Sequence, residues 1–305
     1  MQYKYLHLRW RFSREVAGAP TSPLPKETGC FPTRRYYNTG AGAAAGEGKR
    51  DVSEHYIEFR NVSKAFDDHV VLDQVSFFVD RGETCVIIGR SGVGKSVMLK
   101  HILGFLRPDA GQVLIDGQDI TDWSEEELTA IRQRVTMVFQ SGALFDSLTV
   151  AENIGFPLEK RADLSEDEKQ ARIIELAEML EVADVIDKVP SELSTGMKRA
   201  VAIARALAQD PEAILYDEPT TMVDPIMAAH TGDLILRLKE KFHKTSVVVT
   251  HDTHLAKKLA DRVVFLHESR VAFFGPWKGF EAASEPFLQN FRRQDELIPA
   301  LDVTS

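Results

Sequence analysis

The chain has little cysteine: two in 305 residues, Cys30 in a Pro/Gly-rich stretch and Cys85 inside an apolar run. Neither is spaced for a metal and two positions make no disulfide framework, so a reducing compartment fits. Long hydrophobic runs are missing as well. The longest candidates, such as Cys85-Val86-Ile87-Ile88 and Val247-Val248-Val249, fall far short of the roughly 18 residues that cross a bilayer, leaving any membrane contact to a partner. A basic surplus is also absent. Residues 1–51 hold nine Lys/Arg against four Asp/Glu, but the remainder holds 28 against 42, for a net charge of -9. A nucleic-acid reader normally carries a basic footprint, so no nucleic-acid partner is expected. No internal repeat of solenoid length is visible.

What is present is a chain 44% hydrophobic, enough for a substantial core in one or two domains. The first 51 residues are the exception, with Pro20, Pro23, Pro25, Pro32 and the run Gly40 to Gly48 and no sustained periodicity. They read as a disordered leader. Their basic, acid-poor character leaves open an organelle transit peptide, although serines are few, a dispensable leader, or a start codon assigned too far upstream.

From Tyr56 the pattern changes. Tyr56-Ile57-Glu58-Phe59 and Val75-Ser76-Phe77-Phe78-Val79, joined through Asp67-Asp68-His69, read as antiparallel strands. Thr84 to Ile88, Val135 to Phe139, Ala213 to Tyr216 and Ser246 to Val249 are continuous apolar strands of the buried parallel type. Helical segments separate them, which predicts an α/β sheet with right-handed crossovers. Between Gln140 and Leu193 helical patterns take over. Ser165 with Glu168 forms a capping box ahead of Ile173, Leu176, Ala177 and Leu180, so an inserted helical subdomain is expected at about 141–193.

Gly89-Arg90-Ser91-Gly92-Val93-Gly94-Lys95-Ser96 follows the strand Thr84 to Ile88 and opens a helix carrying Met98, Leu99, Ile102 and Leu103. That context makes it a phosphate loop. Its glycines let successive N–H groups face phosphate oxygens, Lys95 supplies a point charge, and the Ser96 hydroxyl a Mg²⁺ ligand. Asp217 and Glu218 end the strand Ala213 to Tyr216, where alternation would place two carboxylates on opposite pleat faces. Asp217 is then expected to hold Mg²⁺ through its water shell and Glu218 to deprotonate the attacking water. His251 directly follows the strand Ser246 to Thr250, at the carboxyl edge where open sheets bind ligands, within reach of a terminal phosphate. Gln140, at the end of the strand Val135 to Phe139, is a candidate sensor of metal or water.

In this order the residues resemble the ATP-binding cassette (ABC) ATPase family across about Tyr56 to Gly275. The resemblance implies a P-loop NTPase fold with a RecA-like parallel-sheet core, an N-terminal antiparallel β-subdomain and the helical insertion, spanning 52–275, with 276–305 as a tail. Gly89 to Ser96, continuing into Val97, is similar to the Walker A loop, Ala213 to Glu218 to Walker B, Gln140 to the Q-loop and His251 to the switch histidine. Phe66 takes the position that stacks on adenine. Leu193-Ser194-Thr195-Gly196-Met197 resembles the signature and Met222-Val223-Asp224 the D-loop. Two such cassettes are expected to pack head to tail as a homodimer, Ser194 and the Gly196 N–H of one capping the ATP of the other. Two departures stand out: Thr195 and Met222 occupy usual glycine positions, and a β-branched residue does not take φ > 0 cheaply. A slow, ATP-gated assembly factor is therefore the alternative to an active ATPase.

Within the family, Gln140 to Val150, Glu152-Asn153-Ile154, His101 to Phe105 and Tyr216 to Thr221 resemble the ATPase subunits of Mla-type systems. That resemblance implies phospholipid transport, an integral-membrane permease and an MCE-type lipid-binding protein as partners. The expected place is the cytoplasmic face of the inner membrane, or the stromal side of a plastid membrane if residues 1–51 are a transit peptide. An ABC ATPase for another substrate remains the alternative. An apolar cluster after Gln140 is a candidate groove for a short permease helix. The tail, with Phe287, Phe291, Arg292-Arg293 and Leu297 to Leu301, leaves docking on the other protomer and cover for its own core equally open.

Overall fold

The computed structural model describes residues 55–296, with side chains through Arg292; the leader 1–51 and Leu297 to Leu301 lie outside the described residues. Alternation in the first stretch makes a hairpin of β1 (His55–Phe66) and β2 (His69–Asp80), in which Tyr56, Ile57, Phe59, Leu72, Val75 and Phe77 turn inward. Continuous burial replaces alternation in β3 (Thr84–Gly89), as expected for a strand covered on both faces. The chain then runs through α1 (Lys95–Ile102), β4 (Ala110–Ile115), β5 (Gln118–Asp119), α2 (Glu125–Arg134) and β6 (Val135–Val138). Ser124 and Glu127 cap α2 reciprocally.

The helical segment comes next: α3 (Val150–Gly155), α4 (Glu166–Met179) and α5 (Thr195–Ala208), linked through short 3-10 turns. Ser165 Oγ accepts from the Glu168 N–H at 3.3 Å, the capping box expected there, and Ile173, Leu176, Ala177 and Leu180 are buried. β7 (Ala213–Asp217), α6 (Pro225–Phe242), β8 (Thr245–Thr250), α7 (Thr253–Leu259), β9 (Arg262–His267) and β10 (Arg270–Pro276) follow, then α8 (Trp277–Ala282) and α9 (Pro286–Glu296).

Two sheets result. One is antiparallel in the order β2-β1-β4-β5; the other runs β10-β9-β3-β8-β7-β6, parallel except for the edge strand β10. The phosphate-loop strand β3 is central, with β8 on one side and β9 on the other. The carboxyl ends of β3, β7 and β8 therefore open onto one edge, where open α/β sheets bind ligands.

The tail covers the chain's own core as far as its side chains are described. Phe280 and Leu288 are buried, Phe287 lies parallel to His267 at 5.0 Å, and Arg292 Nη2 donates to the Ala283 carbonyl at 2.7 Å.

Candidate functional site

The loop between β3 and α1 needs glycine where the backbone is pressed against the fold. Gly89 has φ 155°, and a Cβ there would lie 2.6 Å from the Leu266 carbonyl; Gly94 has φ 107°, and its Cβ would lie 2.9 Å from Val71. Neither position has room for a side chain. A Cβ added at Gly92, by contrast, would meet nothing within 4 Å beyond its chain neighbours, and Arg90 and Ser91 are exposed. The loop is thus rigid at its roots and open at its crest, the shape of an anion cradle. Val93 and Val97 are half-buried and pack on the core below.

Lys95 is buried, and its Nζ donates to the carbonyls of Gly89 at 2.9 Å and Arg90 at 3.2 Å while standing 3.4 Å from Glu218 Oε1. Ser96 Oγ donates to Asp217 Oδ1 at 2.7 Å, so the two expected metal ligands meet. Burial pushes the Asp217 carboxyl above its ordinary value, with the Glu218 charge adding and the Ser96 hydrogen bond opposing. A half-buried carboxylate beside a hydroxyl is a hard-oxygen pair suited to Mg²⁺. Among the described residues no cluster of three or more His, Cys, Asp or Glu could hold a metal ion.

Glu218 corrects one expectation. β7 ends at Asp217, and Glu218 has φ 47°, so the adjacent carboxylates are not separated by strand alternation. The turn out of the strand brings Glu218 Oε2 to 2.8 Å from His251 Nδ1 and lets it accept from Thr221 Oγ1 at 3.0 Å. Thr221 was not expected; only this backbone turn reveals it. Burial raises the Glu218 carboxyl, but the His251 hydrogen bond and the Lys95 charge outweigh it and hold the group below its ordinary value. The Glu218 hydrogen bond in turn raises the half-exposed His251.

The remaining expected residues lie on other elements. Gln140 is exposed two residues beyond the end of β6, which stops at Val138 rather than Phe139. Phe66, at the end of β1, is 42% exposed, with Lys64 Nζ 5.6 Å from its ring centre. Ser194 caps α5, accepting from the Met197 N–H at 3.3 Å. Thr195 is the first helical residue and is not among those with positive φ, so the conformational objection to it falls away. Met222 does take φ 63° and is 85% exposed. Asp224 caps α6 through the Met227 N–H, and the Met227 side chain lies against Gly196.

A phosphate loop on a central strand, flanked by a serine-aspartate pair and a glutamate held between lysine and histidine, defines a P-loop nucleotide-hydrolysing protein. Comparison narrows the class: the ABC transporter family is matched over residues 72–221. The chain is 37% identical to the intermembrane phospholipid transport system ATP-binding protein MlaF of Haemophilus influenzae, over 78% of this chain and 88% of that one. It is likewise 37% identical to the chloroplastic protein TRIGALACTOSYLDIACYLGLYCEROL 3 of Arabidopsis thaliana, over 83% and 78%. Among solved structures, a dimeric, post-hydrolysis ATP-binding cassette bound to ADP and Pi matches with a TM-score of 0.66 at 34% identity, covering 72% of this chain and 98% of that one. The chain belongs to the ABC transporter family, is an ATPase, and resembles the Mla-type members of that family. Such cassettes bind ATP, dimerise and work with membrane permeases. Among the described residues no helix is long and apolar enough to cross a membrane.

Proposed function

We propose that this chain powers phospholipid movement between membranes, as a homodimer bound to a separate permease and served by an MCE-type lipid-binding protein. The observation that carries the reading is a groove of about 810 Å³ beside Gln140, lined by Phe105, Phe139, Phe145 and Phe156 with Arg132 and Arg205. Exposed aromatic residues around a concavity suit a short helix of another chain. Arg132 lies over the Phe105 ring at 4.6 Å and Arg205 over that of Phe145 at 5.4 Å, which stiffens the rim. The lipid assignment is supported by the two relatives, one named for phospholipid transport and the other carrying the name of a lipid. The corresponding location is peripheral, at the cytoplasmic face of the inner membrane or the stromal face in a plastid.

In the nucleotide site, the N–H groups from Gly89 to Val97 and the Lys95 ammonium hold the phosphates, and Phe66 stacks on the adenine. Ser96 and Asp217, with Gln140 as a third candidate, would hold Mg²⁺, which would neutralise charge on the transferred phosphoryl group. Glu218 orients and deprotonates the attacking water, and His251 donates to the γ-phosphate. Ser194, Thr195 and Gly196 of one protomer, with Asp224 nearby, close over the nucleotide of the other.

Proteoliposomes holding the chain, the permease and labelled phospholipid test the whole reading. ATP-dependent lipid transfer is expected, and Glu218→Gln should trap ATP while turnover falls by ~10²–10⁴. Hydrolysis stimulated by the permease with no lipid moved would overturn the substrate, and undiminished hydrolysis in Glu218→Gln would overturn the base.

A further inference from the structure

Arg199 lies on α5, five residues beyond the cap Ser194, and is only 6% exposed. Among the described residues no carboxylate pairs with it. Its Nη1 donates to the carbonyl of Glu218 at 3.3 Å and to that of Pro219, and its Nη2 to that of Thr221. Nε is buried without a protein partner, so the two terminal nitrogens hold the side chain. Burying a cation is costly unless its donors are well used, and here they are used on a single turn.

That turn is the one that most needs holding. Glu218 has φ 47°, uncommon for a residue with a side chain, and it precedes Pro219, whose ring favours an extended residue before it. Such a conformation persists only where the surroundings over-determine it. One planar fork reaching three carbonyls over four residues does so, and a lysine's point charge does not.

We propose that Arg199 is a positioning residue for hydrolysis: its guanidinium fixes the Glu218 to Thr221 turn so that the Glu218 carboxylate stays between Lys95 and His251. Since Arg199 rides on the helix capped by Ser194, it also joins the hydroxyl aimed at the partner's nucleotide and the carboxylate serving this chain's own nucleotide into one unit. The inference rests on Glu218 being the base.

Arg199→Ala and Arg199→Lys, measured beside Glu218→Gln in the full-length chain, test it. The expected result is ATP affinity retained and kcat lowered on the order of 10²-fold in Arg199→Ala, as for a catalytic group displaced by an ångström. Arg199→Lys should lie between. Guanidinium ion at a non-denaturing concentration should restore part of the Arg199→Ala rate, which a variant that merely unfolds would not show. The double variant Arg199→Ala/Glu218→Gln should be no slower than Glu218→Gln alone. Wild-type kcat in Arg199→Ala with an inactive Glu218→Gln overturns the positioning role alone. An active Glu218→Gln overturns the reading of the base instead. If Arg199→Ala does not fold, wild-type kcat in Arg199→Lys overturns the proposal.

Discussion

His251 Nδ1 stands 2.8 Å from Glu218 Oε2, and each group pulls the other toward its charged form. Glu218 is depressed, so its contribution to stability is present above its ordinary value of 4.5 and lost as pH falls through its folded value. His251 is raised, so its contribution is complete below its ordinary 6.5 and lost as pH rises through its folded value. The pair is therefore fully in place between the two. In Glu218→Gln the His251 pKa should drop toward the ordinary value, read from imidazole proton shifts in an NMR titration; an unmoved pKa would show that the contact does not form in solution.

Ser96 and Asp217 share the second contact with a direct chemical consequence. Removing the Ser96 hydroxyl takes one oxygen from the pair proposed to hold the metal and a hydrogen bond from a half-buried carboxylate. A hydrogen bond to a charged group contributes about 1.5–3 kcal/mol, so in Ser96→Ala the Mg²⁺ concentration giving half-maximal hydrolysis should rise roughly tenfold or more. An unchanged Mg²⁺ dependence would remove Ser96 from the metal site.

Met222 holds a left-handed backbone while exposing 85% of its surface, so its side chain contributes little packing. The conformation costs about 1–2 kcal/mol in a residue with a Cβ, offset in part by the greater unfolded-state freedom of glycine, about 0.5–1 kcal/mol. Met222→Gly should melt slightly above Met222→Ala, and Met222→Ala should match wild type. Thermal unfolding of the three proteins decides it; glycine melting below alanine would contradict the assignment of strain.

His101 is 1% exposed, its Nδ1 is 2.7 Å from the Val97 carbonyl, and its Nε2 has no protein partner. Burial lowers its pKa, with the Val97 carbonyl opposing and the charges of Lys64 and Asp109 acting in opposite senses. The fold thus favours neutral imidazole. Stability is full above the ordinary 6.5 and declines as pH falls below it, because the unfolded chain then binds a proton that the folded chain does not. Urea unfolding on both sides of that value should show a shallower acid loss in His101→Leu than in wild type; parallel losses would place the pH sensitivity elsewhere.

The parts legible in the sequence were those whose cause is local. Gly89 to Ser96 announces itself because a phosphate loop needs glycine and lysine at fixed spacing after an apolar strand. Ser165 with Glu168, and Ser194 as a helix cap, follow from reach along the backbone. What stayed hidden depends on distant segments. The left-handed Glu218 is held by an arginine nineteen residues upstream, and Lys95 turns back to its own loop. Thr195 looked like an obstacle by its residue type alone, but a helical first position asks nothing unusual of it. Phe287 and Phe291 gave no hint of which core they cover until His267 and Phe265 were found beneath them.

The place of β3 bears on how the protein is made. Cys85 pairs with Val247 on one side and Arg262 on the other, so a ribosome that has delivered the phosphate loop must still synthesise most of the chain before that loop has walls. Late pairing of distant strands is slow and leaves apolar edges exposed meanwhile. A truncation before residue 262 removes β9 and leaves the apolar strand β3 with an open flank. A growing chain that already displays the glycine loop therefore has no walled site until β8 and β9 have been made and paired beside it.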